Sequence, residues 1–204
     1  MASARTIKPA DDRDIVTVAG DISQPATADR IIGAALERFG RVDTLVNNAG
    51  LFISKPFTDY TADDYAKITG VNLAGFLWMT QAAINEMVRQ GHGHVVNISA
   101  TIADRADSGS PSALAALTKG GLAAATRSLA IEYASRGIRV NAVAPGIIQT
   151  PLYPAASYAG LGDQVPLGRV GQVSDVVDAI LFLESASYIT GEILHVDGGQ
   201  IAGH

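Results

Sequence analysis

Alternation constrains this chain more than any other feature. Short, β-branched, apolar runs at 15–19, 44–47, 94–98, 139–144 and 192–196 are separated by segments long enough for a helix. Runs of that length, bounded by Gly, Asn and Pro, read as strands. The segments between them carry apolar residues at a 3.6-residue spacing. Ile31, Ile32, Ala35, Leu36 and Phe39 form one stripe, and Leu73, Phe76, Leu77, Thr80, Ala83, Ile84, Met87 and Val88 form another. Strand following helix in this way predicts an α/β fold, with a doubly wound, mostly parallel sheet covered on both faces. Hydrophobic residues make up 48% of the 204 residues and charged residues only 17%, as doubly covered strands require. There is no internal repeat or linker, so residues 1–204 read as one domain.

Local signals set the expected boundaries. Residues 1–14 are polar and read as loop. Ser23 is an N-cap candidate ahead of Pro25, and Gly40 closes that helix. Thr61 caps a helix running to about residue 90, with Asp63 and Asp64 in its first turn. A helix covers 112–135, and Gly120-Gly121 within it suggest close approach of a neighbour. Residues 149–172 read as loop, and Ser174 opens a last helix.

Several function classes are excluded. The net charge is −5 with no basic run, which argues against nucleic acid as a partner. The absence of Cys removes disulfides and thiolate metal sites, and fits a cytoplasmic protein. No apolar stretch reaches the ~18–20 residues of a membrane span, and the first residues lack the apolar core of a signal peptide. His92, His94, His195 and His204 show no metal-site spacing, so no metal is expected.

In sheets of this kind ligands bind beyond the carboxyl ends of the strands. Asp21, Asn48-Ala49-Gly50, Ser99-Ala100-Thr101 and Pro145-Gly146 fall at those ends. Together with Asn47, Gly70-Val71-Asn72-Leu73, Lys119, Arg139-Val140-Asn141 and Val196-Asp197-Gly198-Gly199, they resemble the short-chain dehydrogenase/reductase family. The resemblance runs over about 15–199. It implies a Rossmann-like fold, an NAD or NADP cofactor and a small-molecule carbonyl or secondary-alcohol substrate. It also implies assembly as a homodimer or homotetramer through the two long helices. By the same resemblance Asp21-Ile22 hold the adenine, and Asn47, Asn48, Ala49 and Gly50 line the cofactor. Asn72 supports a proton-relay water, and Lys119 holds the nicotinamide ribose. Pro145, Gly146, Ile148 and Thr150 lie along the nicotinamide and pyrophosphate. Gly50 and Gly146 would let backbone approach the cofactor without a Cβ.

Two departures from the family pattern stand out. The family opens on a strand and a glycine-rich turn that cradles the pyrophosphate; nothing here matches it. The chain reads as lacking the first βαβ elements, which leaves the strand at 15–19 without its usual neighbour and exposes sheet edges. Re-pairing, dimerisation around the gap, or shortening of a longer gene product would answer this, and the last is the expectation. Arg5 is either a contact for a 2′-phosphate, which would favour NADP, or a solvated arginine. The second departure concerns proton handling. The family keeps Ser, Tyr-x-x-x-Lys and Asn; here Ala115 stands four residues before Lys119, and Ala100 takes the serine position. Ser99 is expected to face away from the site. Thr101 either replaces the serine hydroxyl or is a loop threonine, and Tyr153 and Tyr158 either lend a phenol or pack as a lid. Three readings follow: an oxidoreductase, a catalytically silent homologue acting as a binding or scaffold protein, and a chain that binds no dinucleotide.

Overall fold

The computed structural model describes residues 1–203. Strands β3 (Thr44–Asn47), β4 (Gly93–Ile98), β5 (Ile138–Pro145) and β6 (Ile193–Val196) form one parallel sheet in that spatial order. A second, two-stranded parallel sheet pairs β1 (Ala2–Ala4) with β2 (Thr17–Ala19). Helices α1 (Pro25–Phe39), α2 (Ala62–Thr69), α3 (Phe76–Gln90), α4 (Ala113–Tyr133), α5 (Tyr158–Gly162) and α6 (Val173–Ser185) complete the order. The expected Rossmann-like α/β architecture is therefore present.

Burial follows from alternation along β4. Val95 points toward α1 and α3, where it meets Ile31, Ile32, Met79, Ala83 and Met87. Val96 and Ile98 point the other way, against Val143 and, on α6, Ala179 and Leu183. Five consecutive residues of β4 are buried, as a strand covered on both faces must be. Asn97 lies in that run. Its carbonyl accepts from Asn47 Nδ2 at 2.9 Å and its amide donates to Thr126 at 2.9 Å, which joins β3, β4 and α4. A buried polar chain costs little only when every member is partnered, and here each one is.

The N-terminal stretch departs from its reading as loop. Ala2–Ala4 is extended and supplies β2 with a parallel partner, and Ser3 donates to the Val18 carbonyl at 2.7 Å. The edge expected to be bare on β2 is thus paired, and the bare edges lie one strand further in. Between β1 and β3 lies a slot of about 860 Å³, walled by Ser3, Ala4, Thr44, Leu45 and Val46, and by Ile32 and Met79 of α1 and α3. Neither β1 nor β3 has a hydrogen-bonded neighbour on that side.

Other boundaries shift for local reasons. Gln24, not Ser23, is the N-cap of α1, with Pro25 pre-set for the first turn. The Ser23 amide is already engaged by Asp21 Oδ1 at 2.9 Å, which ties the residue to the preceding turn. The helix expected over 61–90 is interrupted by a wide turn at Gly70–Gly75, and the buried Asn72 sits within it. Helix α4 ends at Tyr133 and tightens through Arg136. The segment read as loop at 149–172 contains the short α5. Gly120 has nothing within 4 Å of where a Cβ would stand, and Gly121 meets only Leu73 at 3.7 Å. Close packing inside the chain is therefore not why this helix carries two glycines.

Candidate active site

The carboxyl ends of β3, β4 and β5 open into one cavity of about 790 Å³. Gly50, Ala100, Thr101, Ala115, Lys119, Pro145, Gly146, Ile148 and Thr150 line it together, although they span a hundred residues of sequence. The sheet register places them there: Asn97 sits beside Ala142, and Ile98 beside Val143, so the segments after β4 and β5 leave the sheet side by side.

Lys119 lies two turns into α4 and is 9% exposed. Its Nζ donates to the Ile98 carbonyl at 2.5 Å, so the end of β4 fixes the amine at the cavity wall. No carboxylate pairs with it among the described residues. Burial alone therefore decides its titration, and lowers its pKa from 10.5 to about 8. One turn back, Ala115 is 1% exposed and brings no polar atom.

The hydroxyls divide as strand geometry dictates. Ser99 is buried, and its Oγ donates to the Lys119 backbone carbonyl at 3.1 Å, which anchors α4. Thr101 follows the strand end and turns into the cavity wall. Its Oγ1 lies 3.4 Å from Asp197 Oδ2, and that carboxylate also accepts from the Ile201 and Gly199 amides, each at 2.9 Å. Tyr153 lines the same cavity, and burial raises its pKa, so its phenol is protonated across the neutral range. Tyr158 is committed elsewhere, donating to the carbonyls of Thr150 and Tyr153 at 3.0 and 3.2 Å.

Asn72 is fully used by the fold. Its Oδ1 accepts from the Leu51 amide at 2.7 Å, and its Nδ2 donates to the Leu51 carbonyl and to Thr118 Oγ1, each at 3.0 Å. It pins the loop after β3 to α4, directly behind Lys119. Asn47 is likewise spent, donating to Thr80 and Asn97 at 2.9 Å. Asn48, Ala49 and Gly50 are exposed.

The two glycines expected to admit a cofactor have reasons within the chain. A Cβ on Gly50 would come 3.0 Å from Lys119 Nζ. One on Gly146 would strike Gln200 Oε1 and lie 2.9 Å from the Asp197 Cα. Each glycine lets another part of the wall close in.

Asp21 and Ile22 lie at the end of β2, on the wall of the slot together with Arg5. The Ser23 backbone amide and hydroxyl hold the Asp21 carboxyl below its usual range, with Arg5 adding a smaller push in the same direction. Asn48, Gly50 and Leu51 line both the slot and the cavity. A path thus leads from Asp21 past Asn48–Gly50 to Pro145–Thr150. Its two ends suit a dinucleotide: a carboxylate and an arginine at one, a buried amine and a strand-end turn at the other. Midway, no glycine-rich helix N-terminus faces the path among the described residues. The grip on a diphosphate would rest on the exposed turn at Asn48–Gly50.

Three lining residues were not singled out beforehand. Arg105 donates to the Gln200 carbonyl at 2.7 Å, Gln200 accepts from the Ile147 amide at 3.3 Å, and Phe52 closes the apolar side. Arg105 and Gln200 come from loops whose convergence no local pattern announces. His94, which with His92 brackets Gly93 in sequence, is buried in β4. Its Nδ1 lies 2.6 Å from Glu184, and its Nε2 accepts from Asn141 at 3.0 Å. No cluster of His, Asp and Glu able to hold a metal occurs among the described residues, and no helix is long and apolar enough to cross a membrane.

This chain is similar to known reductases and dehydrogenases. The sequence model described as Enoyl-(Acyl carrier protein) reductase matches residues 2–200. The 3-oxoacyl-[acyl-carrier-protein] reductase FabG of Escherichia coli (strain K12) is 37% identical over 185 residues, covering 88% of this chain and 75% of that protein. The enzyme of the same name from Thermotoga maritima is 35% identical over 176 residues, covering 84% and 71%. Among solved structures, ElxO with NADP bound superposes with a TM-score of 0.86 at 32% identity, covering 93% of this chain and 79% of that one. A gluconate 5-dehydrogenase from Burkholderia cenocepacia J2315, in complex with NADP and tartrate, gives 0.84 at 31% identity, with 92% and 76% covered.

Proposed function

Because this chain belongs to the short-chain dehydrogenase/reductase family, we propose that it is an NAD(P)-dependent oxidoreductase acting on a small carbonyl compound or secondary alcohol. The observation that carries this reading is the shared wall. Asn48, Gly50 and Leu51 join the slot holding Asp21 to the cavity holding Lys119, so one elongated ligand can lie along both. A nicotinamide bound at the inner end supplies or accepts a hydride. Asp21, Ile22 and Arg5 hold the adenosine end, and Arg5 favours NADP. Asn48, Ala49 and Gly50 receive the middle, while Lys119, Pro145, Gly146, Ile148 and Thr150 hold the ribose and nicotinamide end.

The proton needs its own route, since Ala115 and Ala100 carry no acid. Thr101, backed by Asp197, orients the carbonyl oxygen. Tyr153, a protonated phenol on the same wall, serves as the acid. Asn72 acts as a positioning residue through Leu51 and Thr118. The names of the FabG relatives make a 3-oxoacyl thioester the first substrate to try. Leu77, Leu117 and Ile131 are exposed on α3 and α4, which supports assembly as a homo-oligomer through those helices. The absence of cysteine supports a cytoplasmic setting.

Titration calorimetry with NADPH and NADH, followed by NADPH oxidation assays on a 3-oxoacyl thioester and a panel of aldehydes and ketones, tests this reading. Micromolar binding and turnover are expected, and Tyr153→Phe should lower turnover by about 10²–10⁴-fold. Failure to bind either dinucleotide overturns the reading, and binding without turnover overturns its catalytic half.

A further inference from the structure

We propose that Lys119 is a carbonyl-trapping amine, whose Nζ condenses with an aldehyde or ketone admitted to the 790 Å³ cavity to form an imine. This shares the carbonyl substrate class of the proposed function but requires no dinucleotide.

Placement comes first. Lys119 Nζ is held at the end of β4 by the Ile98 carbonyl, at a wall of the main cavity. What surrounds it is small: Ala115 one turn back, and Gly50, where even a Cβ would come within 3.0 Å of the nitrogen. A tyrosine at 115 would compete for that space, and an acid would hold the amine as an ion. Neither is present. The rest of the cavity is largely apolar, with Leu51, Phe52, Ile98, Ile147 and Ile148 on its walls.

Chemistry follows from placement. An ammonium has no lone pair to give, so an ordinary exposed lysine is a poor nucleophile near neutrality. Burial without a counter-charge lowers the pKa of Lys119 to about 8. At pH 7 about a tenth of it is then the free amine, against less than about a thousandth for an exposed lysine. One hydrogen of that neutral amine satisfies Ile98, leaving the lone pair for a carbonyl carbon. In the step itself the nitrogen bonds to the carbon, and a proton passes from nitrogen to the former carbonyl oxygen, giving a carbinolamine. The remaining N–H proton then joins the hydroxyl, which leaves as water as the C=N bond forms, with no change of oxidation state. Thr101 stands on the same wall to carry the proton, with the Asp197 carboxylate 3.4 Å behind it.

Reductive trapping decides the matter on the full chain, without added dinucleotide. The protein is incubated with pentanal or 2-pentanone and sodium cyanoborohydride, then peptide-mapped by mass spectrometry. Lys8, Lys55 and Lys67 serve as internal controls. At pH 7 Lys119 is expected to be alkylated more than about a hundredfold faster than the exposed Lys8 and Lys67, as the free-amine fractions require. Its rate should rise through pH ~8 and level off above, while theirs continue to climb. Lys119→Arg keeps the cation and abolishes that label. Equal or slower labelling of Lys119, or a rate climbing in parallel with Lys8 to high pH, overturns the proposal. The map of the unaltered chain alone decides, even if the arginine variant fails to fold. A chain that takes up no NADPH yet traps the aldehyde at Lys119 refutes the dinucleotide reading and keeps this one.

Discussion

The two sheets on either side of the slot are built to different standards. In β3–β6 each strand has a parallel neighbour, β4 and β5 are almost wholly buried, and the amides of the half-buried Asn47 and the buried Asn97 and Asn141 are all partnered. The β1–β2 pair consists of three-residue strands, none of whose residues is fully buried. It is joined to the core through α1, where Val18 and Ile22 pack against the helix. The difference assigns separate jobs. Everything that shapes the cavity around Lys119 belongs to the four-stranded side. Everything at the proposed adenosine end belongs to the two-stranded side. Carbonyl chemistry can therefore be well organised while dinucleotide affinity depends on the weaker flank.

The largest effect that can break this contrast is in the core. Leu183 is wholly buried under β4 and β5, so Leu183→Ala is expected to cost about 2–5 kcal/mol by denaturant unfolding. Val18→Ala, on half-buried β2, is expected to cost about 1 kcal/mol. Hydrogen exchange should follow the same order, with β1 and β2 amides opening well before those of β4 and β5. Equal costs, or equal protection, would show that the two sheets unfold as one body and that the contrast has no energetic meaning.

Next in size is Asn72, the link between the loop after β3 and α4. Asn72→Ala orphans the Leu51 amide and leaves Thr118 short of a donor in a buried place. A loss of about 2–3 kcal/mol is expected. The readout that separates positioning from mere stability is the pH profile of Lys119 labelling. If Asn72 holds the wall, freeing Leu51 admits water, and the midpoint of that profile moves upward from about 8. An unmoved midpoint would make Asn72 purely structural.

Lys119 gives an effect of opposite sign. Its pKa is lowered in the fold from 10.5 to about 8. The unfolded chain therefore binds an extra proton between pH ~8 and ~10.5, stability falls as pH falls through that window, and burial of the ammonium costs on the order of 3 kcal/mol at pH 7. Lys119→Met removes that cost and leaves the Ile98 carbonyl without its donor, which returns about 1–3 kcal/mol. A net gain of about 1 kcal/mol is expected, together with complete loss of imine trapping. A less stable Met variant would mean that the ammonium is better accommodated than its surroundings indicate.

Acid should act on the four-stranded side first. Burial lowers the His94 pKa below 6.5, outweighing the Glu184 carboxylate beside it. As pH falls through ~6.5 the unfolded chain takes up a proton that the fold resists, so stability falls, by at most about 1.4 kcal/mol per pH unit. Above that range the contribution is fully present. His94→Gln should flatten the slope; an unchanged slope would assign it to other groups.

Much of this was legible in sequence because alternation and turn chemistry are local. The strands at 44–47, 94–98, 139–144 and 192–196 sit within a residue or so of their places, and Lys119, Thr101, Pro145, Gly146 and Thr150 do meet at one cavity. The strand at Ala2–Ala4 was missed because three small residues carry no period of their own; only pairing with β2 makes them extended. The break at Gly70–Gly75 was missed because helix flanks it on both sides, and Asn72 itself keeps the four-residue spacing from Ile68 to Phe76. Arg105 and Gln200 reach the cavity from loops, where residue type predicts exposure and only tertiary closure says otherwise.

The smallest effect tests the outer face of α4. Gly120 meets nothing that a methyl group would touch. In a monomer, Gly120→Ala should therefore stabilise the chain by about 0.5–1 kcal/mol, the difference in helix propensity alone. In an oligomer packed through α3 and α4, the same face would lie against a partner helix at the spacing glycine allows. The added methyl would then cost stability and lower the assembly size. Unfolding and sedimentation of this one variant, measured together, give opposite signs in the two cases. The sign also bears on the contrast between the sheets: a partner on α4 would add support to the four-stranded side alone, and widen its margin over β1 and β2.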